Sequence, residues 1–371
     1  MPQLNATLYE GGFFVYRKWL TSGVAVVTLG ALVAGCGANQ NANNTSGGTN
    51  STTGGTTGGA HASFKVGLVT DTGGLNDHGF NYLSDQGLIK AEKDLGITGK
   101  VVQSTNASDY VPNLQNFAQN GYQLVIAVGY LMDGAVKQVA KEYPKTKFLI
   151  IDDPITGVPN VTSAIFNTEQ CGYLVGALAG LMEKQPGIKG MNSKNVVGVV
   201  GGQQIPPVTS YIAGFQQGVQ KTDPGATVLV RFANSFSDQA LGSQIAQNEI
   251  ASGADIIFPV AGGTGIGSID AAQSAHVYAI GVDANQNYLA PATVITSATK
   301  GVDTATYDVI QQTLNNKFQN GIQYFNLKNS GVGMATPNSA VPQSVVQQVD
   351  ALQQQIISGA ITVSANMTPS K

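Results

Sequence analysis

Two segments about 130 residues apart read alike, and they constrain the fold more than any other feature of the chain. Lys65-Val-Gly-Leu-Val-Thr70 and Asn195-Val-Val-Gly-Val-Val200 are β-branched, apolar runs, each leading into a Gly-containing loop and then a helix. Short runs of this kind recur at 64–70, 124–128, 147–151, 195–200, 227–231, 256–260 and 278–282, alternating with amphipathic stretches at 80–95, 133–143, 211–221, 238–251 and 268–274. Such alternation predicts an α/β fold with parallel sheets covered by helices. Its doubling predicts two doubly wound, Rossmann-like lobes. Doubly wound lobes present the carboxyl ends of their strands at loops where ligands bind, so two facing lobes would line one cleft. A single large sheet is the alternative arrangement.

The chain of 371 residues, 42% hydrophobic, is long enough to give two domains a core each. Only 11% of residues are charged and the net charge is -3, which supplies no basic field for nucleic acid. Two Cys make no disulfide framework, and three His without paired spacing argue against a His-based metal site. We expect no metal and no cofactor. Near the N-terminus, Arg17 and Lys18 precede an apolar stretch from Trp19 to Ala34, the pattern of an export signal too short to span a bilayer. It ends at Leu32-Val33-Ala34-Gly35-Cys36, which resembles a bacterial lipobox, so Cys36 is the expected lipidation site at the end of the signal segment 1–36. Residues 37–62 are almost entirely Gly, Asn, Thr and Ser, with nothing to bury, and read as a tether with a reach of about 25–30 Å. The expected location is the extracytoplasmic face of a membrane, held there by lipid. Cys171 lies in an apolar helical segment and reads as a packed core residue.

The loop Asp71-Thr-Gly-Gly-Leu-Asn-Asp-His-Gly-Phe80-Asn81 resembles the opening signature of the basic membrane protein family of substrate-binding lipoproteins, which includes purine nucleoside receptors. The similarity continues in Val128-Gly-Tyr-Leu-Met-Asp133, Gly202-Gln-Gln-Ile-Pro-Pro207, Ile212-Ala-Gly-Phe215, Ser235-Phe-Ser-Asp238, Gly253-Ala-Asp-Ile-Ile-Phe258, Val260-Ala-Gly-Gly-Thr-Gly265, Gly281-Val-Asp283 and Thr296 to Lys300. These ordered matches run from residue 64 to about 312. His78-Gly79 stands where family members often carry a small hydroxyl residue before the Phe. The resemblance implies a type I periplasmic-binding-protein architecture of two lobes joined by a hinge of several crossing segments. An N-terminal lobe is expected over 63–165, completed by about 298–325, and a C-terminal lobe over 166–297, completed by about 326–371. It also implies a monomer that delivers a nucleoside to an ABC transporter permease.

A nucleoside needs flat apolar faces for its base and polar partners for its hydroxyls. The resemblance places Phe80 and Phe236 as rings over the ligand, one from each lobe. Asp71, at the end of the first strand, can accept from a base N–H or from ribose, or else cap the following turn. Asn76 and Asn81 offer both donor and acceptor to a base edge, or loop-stabilising bonds. Tyr130 and Asp133 follow a strand and should open on the cleft or cap the next helix. Asp283 ends another strand, where carboxylates of sugar-binding relatives accept from adjacent hydroxyls, and Lys300 resembles the family lysine that reaches the ribose region or Asp283. Gly263 belongs to a Gly-rich loop, 262–267, whose backbone N–H groups can approach a ligand, although the spacing is neither that of a dinucleotide fingerprint nor of a P-loop.

Three rival readings bear on function. A nucleoside hydrolase would hold calcium through an Asp cluster, and Asp71-Thr-Gly-Gly-Leu-Asn-Asp77 lacks the adjacent carboxylates such a hard cation demands. No catalytic residue is therefore assigned. A sensor or regulator of the same fold would bind ligand without transport, and a third reading is a receptor for another small solute, such as a sugar or an autoinducer-like furanose, against which loss of affinity on Phe80→Ala and Phe236→Ala would favour a base-bearing ligand.

Overall fold

The computed structural model describes residues 61–368; the export signal, Cys36 and the tether up to residue 60 lie outside the described residues. The first half of the described chain runs β1 (Lys65–Thr70), α1 (Phe80–Leu95), β2 (Thr98–Val102), α2 (Tyr110–Gln119), β3 (Leu124–Val128), α3 (Asp133–Glu142), β4 (Lys147–Ile151), β5 (Val161–Phe166) and α4 (Thr168–Glu183). The second runs β6 (Val196–Gly201), α5 (Pro206–Thr222), β7 (Thr227–Phe232), α6 (Gln239–Ala251), β8 (Ala254–Val260), α7 (Gly263–Ser274), β9 (Tyr278–Asp283) and β10 (Val294–Lys300). It finishes with α8 (Val302–Leu314), β11 (Gly321–Phe325), β12 (Val332–Met334) and α9 (Gln343–Ile357).

The strands form two six-stranded sheets, ordered β11-β5-β4-β3-β1-β2 and β12-β10-β9-β8-β6-β7. Every pairing is parallel except β10 with β12. Two separate sheets replace the single-sheet alternative. The central strands β3, β8 and β9 are buried along their whole length, as sheets covered on both faces require.

Two helices begin earlier than periodicity suggests, for identifiable reasons. Helix α5 starts at Pro206, where a missing N–H leaves nothing unsatisfied. Helix α7 starts at Gly263, before the apolar repeat begins, because its glycines serve packing: a Cβ on Gly267 would sit 1.9 Å from the carbonyl oxygen of Gln239 in α6. The same device draws α4 onto α5. A Cβ on Gly172 or Gly176 would lie 2.3 or 2.2 Å from the carbonyl oxygen of Tyr211 or Phe215.

The chain crosses between the sheets three times: after β5, after β10, and between β11 and β12. The crossings are bonded to one another. Asn167 N–H donates to the Phe325 carbonyl at 2.8 Å, Gly301 N–H donates to the Gly331 carbonyl at 2.9 Å, and the rings of Phe166 and Phe325 stack with centroids 4.9 Å apart.

Candidate functional site

Between the two sheets lies a cleft with about 550 Å³ of empty space, its open mouth included. Its walls are the loops at the carboxyl ends of parallel strands. From the first sheet come Asp71, Phe80 and Asn81 after β1, Tyr130 after β3 and Asp152 after β4; from the second come Tyr211 after β6, Phe236 after β7, Gly262 after β8, Asp283 and Lys300.

Helix α1 is placed by Asp77, whose carboxylate accepts from the N–H groups of Gly79, Asn81 and Tyr82 at 3.0, 2.7 and 3.1 Å. Side-chain acceptance at the first turn satisfies donors that no earlier turn can reach. It fixes Phe80 at the helix start, half-buried, with its ring facing the cavity. Asn81 is held from three sides: its amide nitrogen donates to Asp71 Oδ1 at 2.8 Å and to Asp77 Oδ2 at 3.1 Å, and its Oδ1 accepts from Asp71 N–H at 3.3 Å. Asn81 therefore orients Asp71, whose Oδ1 also accepts from Gly73 N–H at 2.9 Å. One carboxylate oxygen of Asp71 thus braces the turn, and the residue also lines the cavity.

In the second sheet, Asp283 Oδ1 accepts from the hydroxyl of Tyr211 at 3.0 Å. Asp283 and Asp152 stand at strand ends with φ of 62° and 70°, a left-handed conformation that costs about 1 kcal/mol or more for a side-chain-bearing residue. Lys300 pairs with Asp152, both almost fully buried, rather than with Asp283. Its ammonium also stands 4.5 Å from the ring centroid of Phe80 and 5.0 Å from that of Phe166, within cation–π range. Phe236 lies so close on Gly202 that a Cβ there would meet its ring at 2.3 Å.

Burial raises the carboxyls of this site. Asp71 is pushed up to about 6 by desolvation, against the opposing bonds from Asn81 and Gly73. Asp283 is likewise pushed up to about 6, desolvation outweighing the nearby Lys300. Asp152 is raised by burial despite its lysine, and burial drives the Tyr211 hydroxyl well above its usual range. Near neutral pH, Asp71 and Asp283 present mostly acceptors, while Tyr211 stays a donor.

Of the residues singled out from sequence, Asp71, Phe80, Asn81, Tyr130, Phe236, Asp283 and Lys300 line the cavity together. Asn76 is exposed on the loop outside it. Asp133 turns to Lys137 on its own helix and to Asp153, whose carboxyl is pushed up to about 7 by burial and by Asp133. Gly263 is buried against the Phe236 carbonyl, and its neighbour Gly262 lines the cavity instead. Sequence reasoning missed Asp77, Asp152 and Tyr211. Asp152 carries the same strand-end signal as Asp71 and Asp283; Tyr211 sits inside a helix and reads as core.

Residues 64–367 match the family described as PnrA-like ABC transporter substrate-binding proteins. The chain is 34% identical over 322 residues to the CD4+ T-cell-stimulating antigen of Listeria innocua, covering 81% of this chain and 88% of the relative. It is 33% identical over 321 residues to the ABC transporter nucleoside-binding protein BmpA of Lactococcus lactis, with the same coverage of 81% and 88%. Among solved structures, an ABC transporter solute-binding protein of Aeropyrum pernix superposes with a TM-score of 0.76 at 26% identity, over 82% of this chain and 94% of that one.

Proposed function

We propose, since the chain belongs to the family of PnrA-like ABC transporter substrate-binding proteins, that its cavity captures a nucleoside and presents it, chemically unchanged, to a transporter permease. The carrying observation is the composition of the cavity walls: each sheet supplies a phenyl ring and at least one carboxylate, Phe80 with Asp71, Asp77 and Asp152 from the first and Phe236 with Asp283 from the second, around one space. A planar base suits the rings, its N–H groups suit Asp71, and a ribose diol suits Asp283. Purine is favoured because the resemblance includes purine nucleoside receptors. The relative from Lactococcus lactis is named a nucleoside-binding protein, which supports the reading.

A ligand touching both sheets stabilises only the arrangement in which both reach it, so capture and closure are one event. Two stacked rings and three or four polar contacts sum to roughly 8–10 kcal/mol after ordering is discounted, a micromolar to tens-of-nanomolar Kd. Attachment through lipid at Cys36 keeps the monomeric receptor beside its permease on the extracytoplasmic face, a reading in keeping with relatives named lipoproteins. Calorimetric titration of the full chain with inosine, guanosine, adenosine, uridine and free ribose tests the ligand. Heat with at least one nucleoside in that affinity range, and none with ribose alone, is expected; silence with every nucleoside refutes the assignment, and release of free base would make the protein a hydrolase.

A further inference from the structure

Outside the cavity, a second set of contacts joins the two sheets' loops. His78, in the turn before α1, carries a φ of 52°, the left-handed region that side-chain-bearing residues rarely occupy. Its Nδ1 lies 2.9 Å from the hydroxyl of Tyr288, in the loop between β9 and β10, and the two rings meet edge-on with centroids 6.1 Å apart. Its carbonyl accepts from the Gln286 amide at 3.1 Å. Gln286 is itself held on its own side of the cleft: its Oε1 accepts from Val282 N–H at 3.0 Å and its backbone N–H donates to Ser297 Oγ at 3.0 Å. Only 2% exposed, it is fixed with its side-chain amide nitrogen directed at the His78 carbonyl. None of the three residues lines the cavity.

We propose that His78, Gln286 and Tyr288 form a clasp that holds the two lobes shut from outside the ligand site, and so set how long a captured ligand stays rather than which ligand is chosen. The left-handed turn at His78 is what permits both contacts at once, sending ring and carbonyl of one residue toward the opposite lobe. Opening breaks both bonds together and returns His78 to water. Because the same turn carries Asp77 and Phe80, release of the clasp and withdrawal of the Phe80 ring are one movement. Such contacts act chiefly on dissociation.

The release arm of the test rests on the nucleoside reading; the distance arm does not. A FRET pair is installed through unnatural amino acids at the exposed positions Lys93 and Asp270, one on each lobe, in the full chain. Tyr288→Phe removes the hydroxyl alone, and His78→Gly removes the ring while tolerating the positive φ. Without ligand, either variant is expected to lower the ratio of closed to open molecules roughly threefold to tenfold, the worth of one such bond. The double variant is expected to match the more affected single one. Gln286→Glu, which sets an acceptor against the His78 carbonyl, is expected to open the protein further. With the nucleoside that binds best, release measured by stopped-flow accelerates by the same factor while association is unchanged. Identical distance distributions in wild type and all variants, or strictly additive effects of His78→Gly and Tyr288→Phe, overturn the clasp. Failure of every nucleoside to bind removes the ligand assignment, and the distance distributions then decide for or against the clasp by themselves.

Discussion

Acidification tests Asp71 and Asp283, the two of the four cavity carboxylates that are proposed to accept from ligand donors. Asp71 and Asp283 stand at about 6 in the free protein, each raised first by burial, and neither is among the charges that shift the other. If each accepts from a ligand donor, binding selects the ionised form, so affinity is full well above pH 6 and falls as pH drops through it. At pH 5 only about one molecule in eleven has a given carboxyl ionised, so each required carboxylate weakens binding about tenfold, and two weaken it about a hundredfold, relative to pH 8. Asp283→Asn isolates one of them. Asparagine tolerates the φ of 62° and keeps an oxygen for the Tyr211 hydroxyl, so the backbone and its neighbour stay in place. In that variant the loss between pH 8 and pH 5 is expected to shrink to about tenfold, on a baseline weakened by the roughly 1.5–3 kcal/mol of a charge-assisted bond. Calorimetry with inosine across pH 5 to 8, on both proteins, reads both quantities. An affinity that stays flat to pH 5, or a slope that Asp283→Asn leaves untouched, would refute the carboxylate roles.

Two predictions concern stability alone. Glu249 is fully buried with neither carboxyl oxygen bonded, and burial pushes it from an ordinary 4.5 up to about 9. The folded state thus holds a proton that the unfolded state releases, so stability is full below 4.5 and declines as pH rises toward 9. By pH 7 the loss is about 3 kcal/mol, and Glu249→Gln should recover much of it there while changing little near pH 4.5, as urea unfolding at the two pH values will report. Gly176→Ala drives a methyl group into the Phe215 backbone; a drop in Tm consistent with about 1–3 kcal/mol or more is expected by calorimetry, whereas an unchanged Tm would mean that α4 and α5 can separate freely.

The buried strands β1, β3, β4, β8 and β9 were legible because a strand covered on both faces must be apolar throughout, as they largely are; β5 and β10, equally buried, carry Thr and Ser in their middles and do not read as strands. Edge strands obey no such demand. Thr98-Gly-Lys-Val-Val102 and Gly321-Ile-Gln-Tyr-Phe325 are part-exposed, and their mixed composition does not mark them as strands. The cavity was legible where a lining residue sits at or just after a strand end, as at Asp71 and Asp283. It was not legible where a residue must be read through another. Asn81 reads as a free amide, but both of its functions are spent on Asp71 and Asp77. Asp77 reads as one more loop carboxylate, and only the folded chain brings three backbone donors onto it.

Lys300 shows why the crossing segments and the cavity cannot be treated as separate parts. It is the last residue of β10, and Gly301, directly after it, makes one of the bonds that tie the crossings together. Its partner Asp152 directly follows β4 of the other sheet. A rotation of one sheet about the crossings must therefore stretch a buried ion pair that also lines the cavity, and a buried charge left without its partner is heavily penalised. The pair thus restricts how far the lobes can part at the hinge side, whereas Phe80, Phe236 and their carboxylates part only as the mouth opens. Ligand capture then has to supply only the difference between an open and a closed mouth. A ligand favouring the closed form by about a hundredfold shifts that equilibrium by two orders of magnitude without any rearrangement of the sheets themselves.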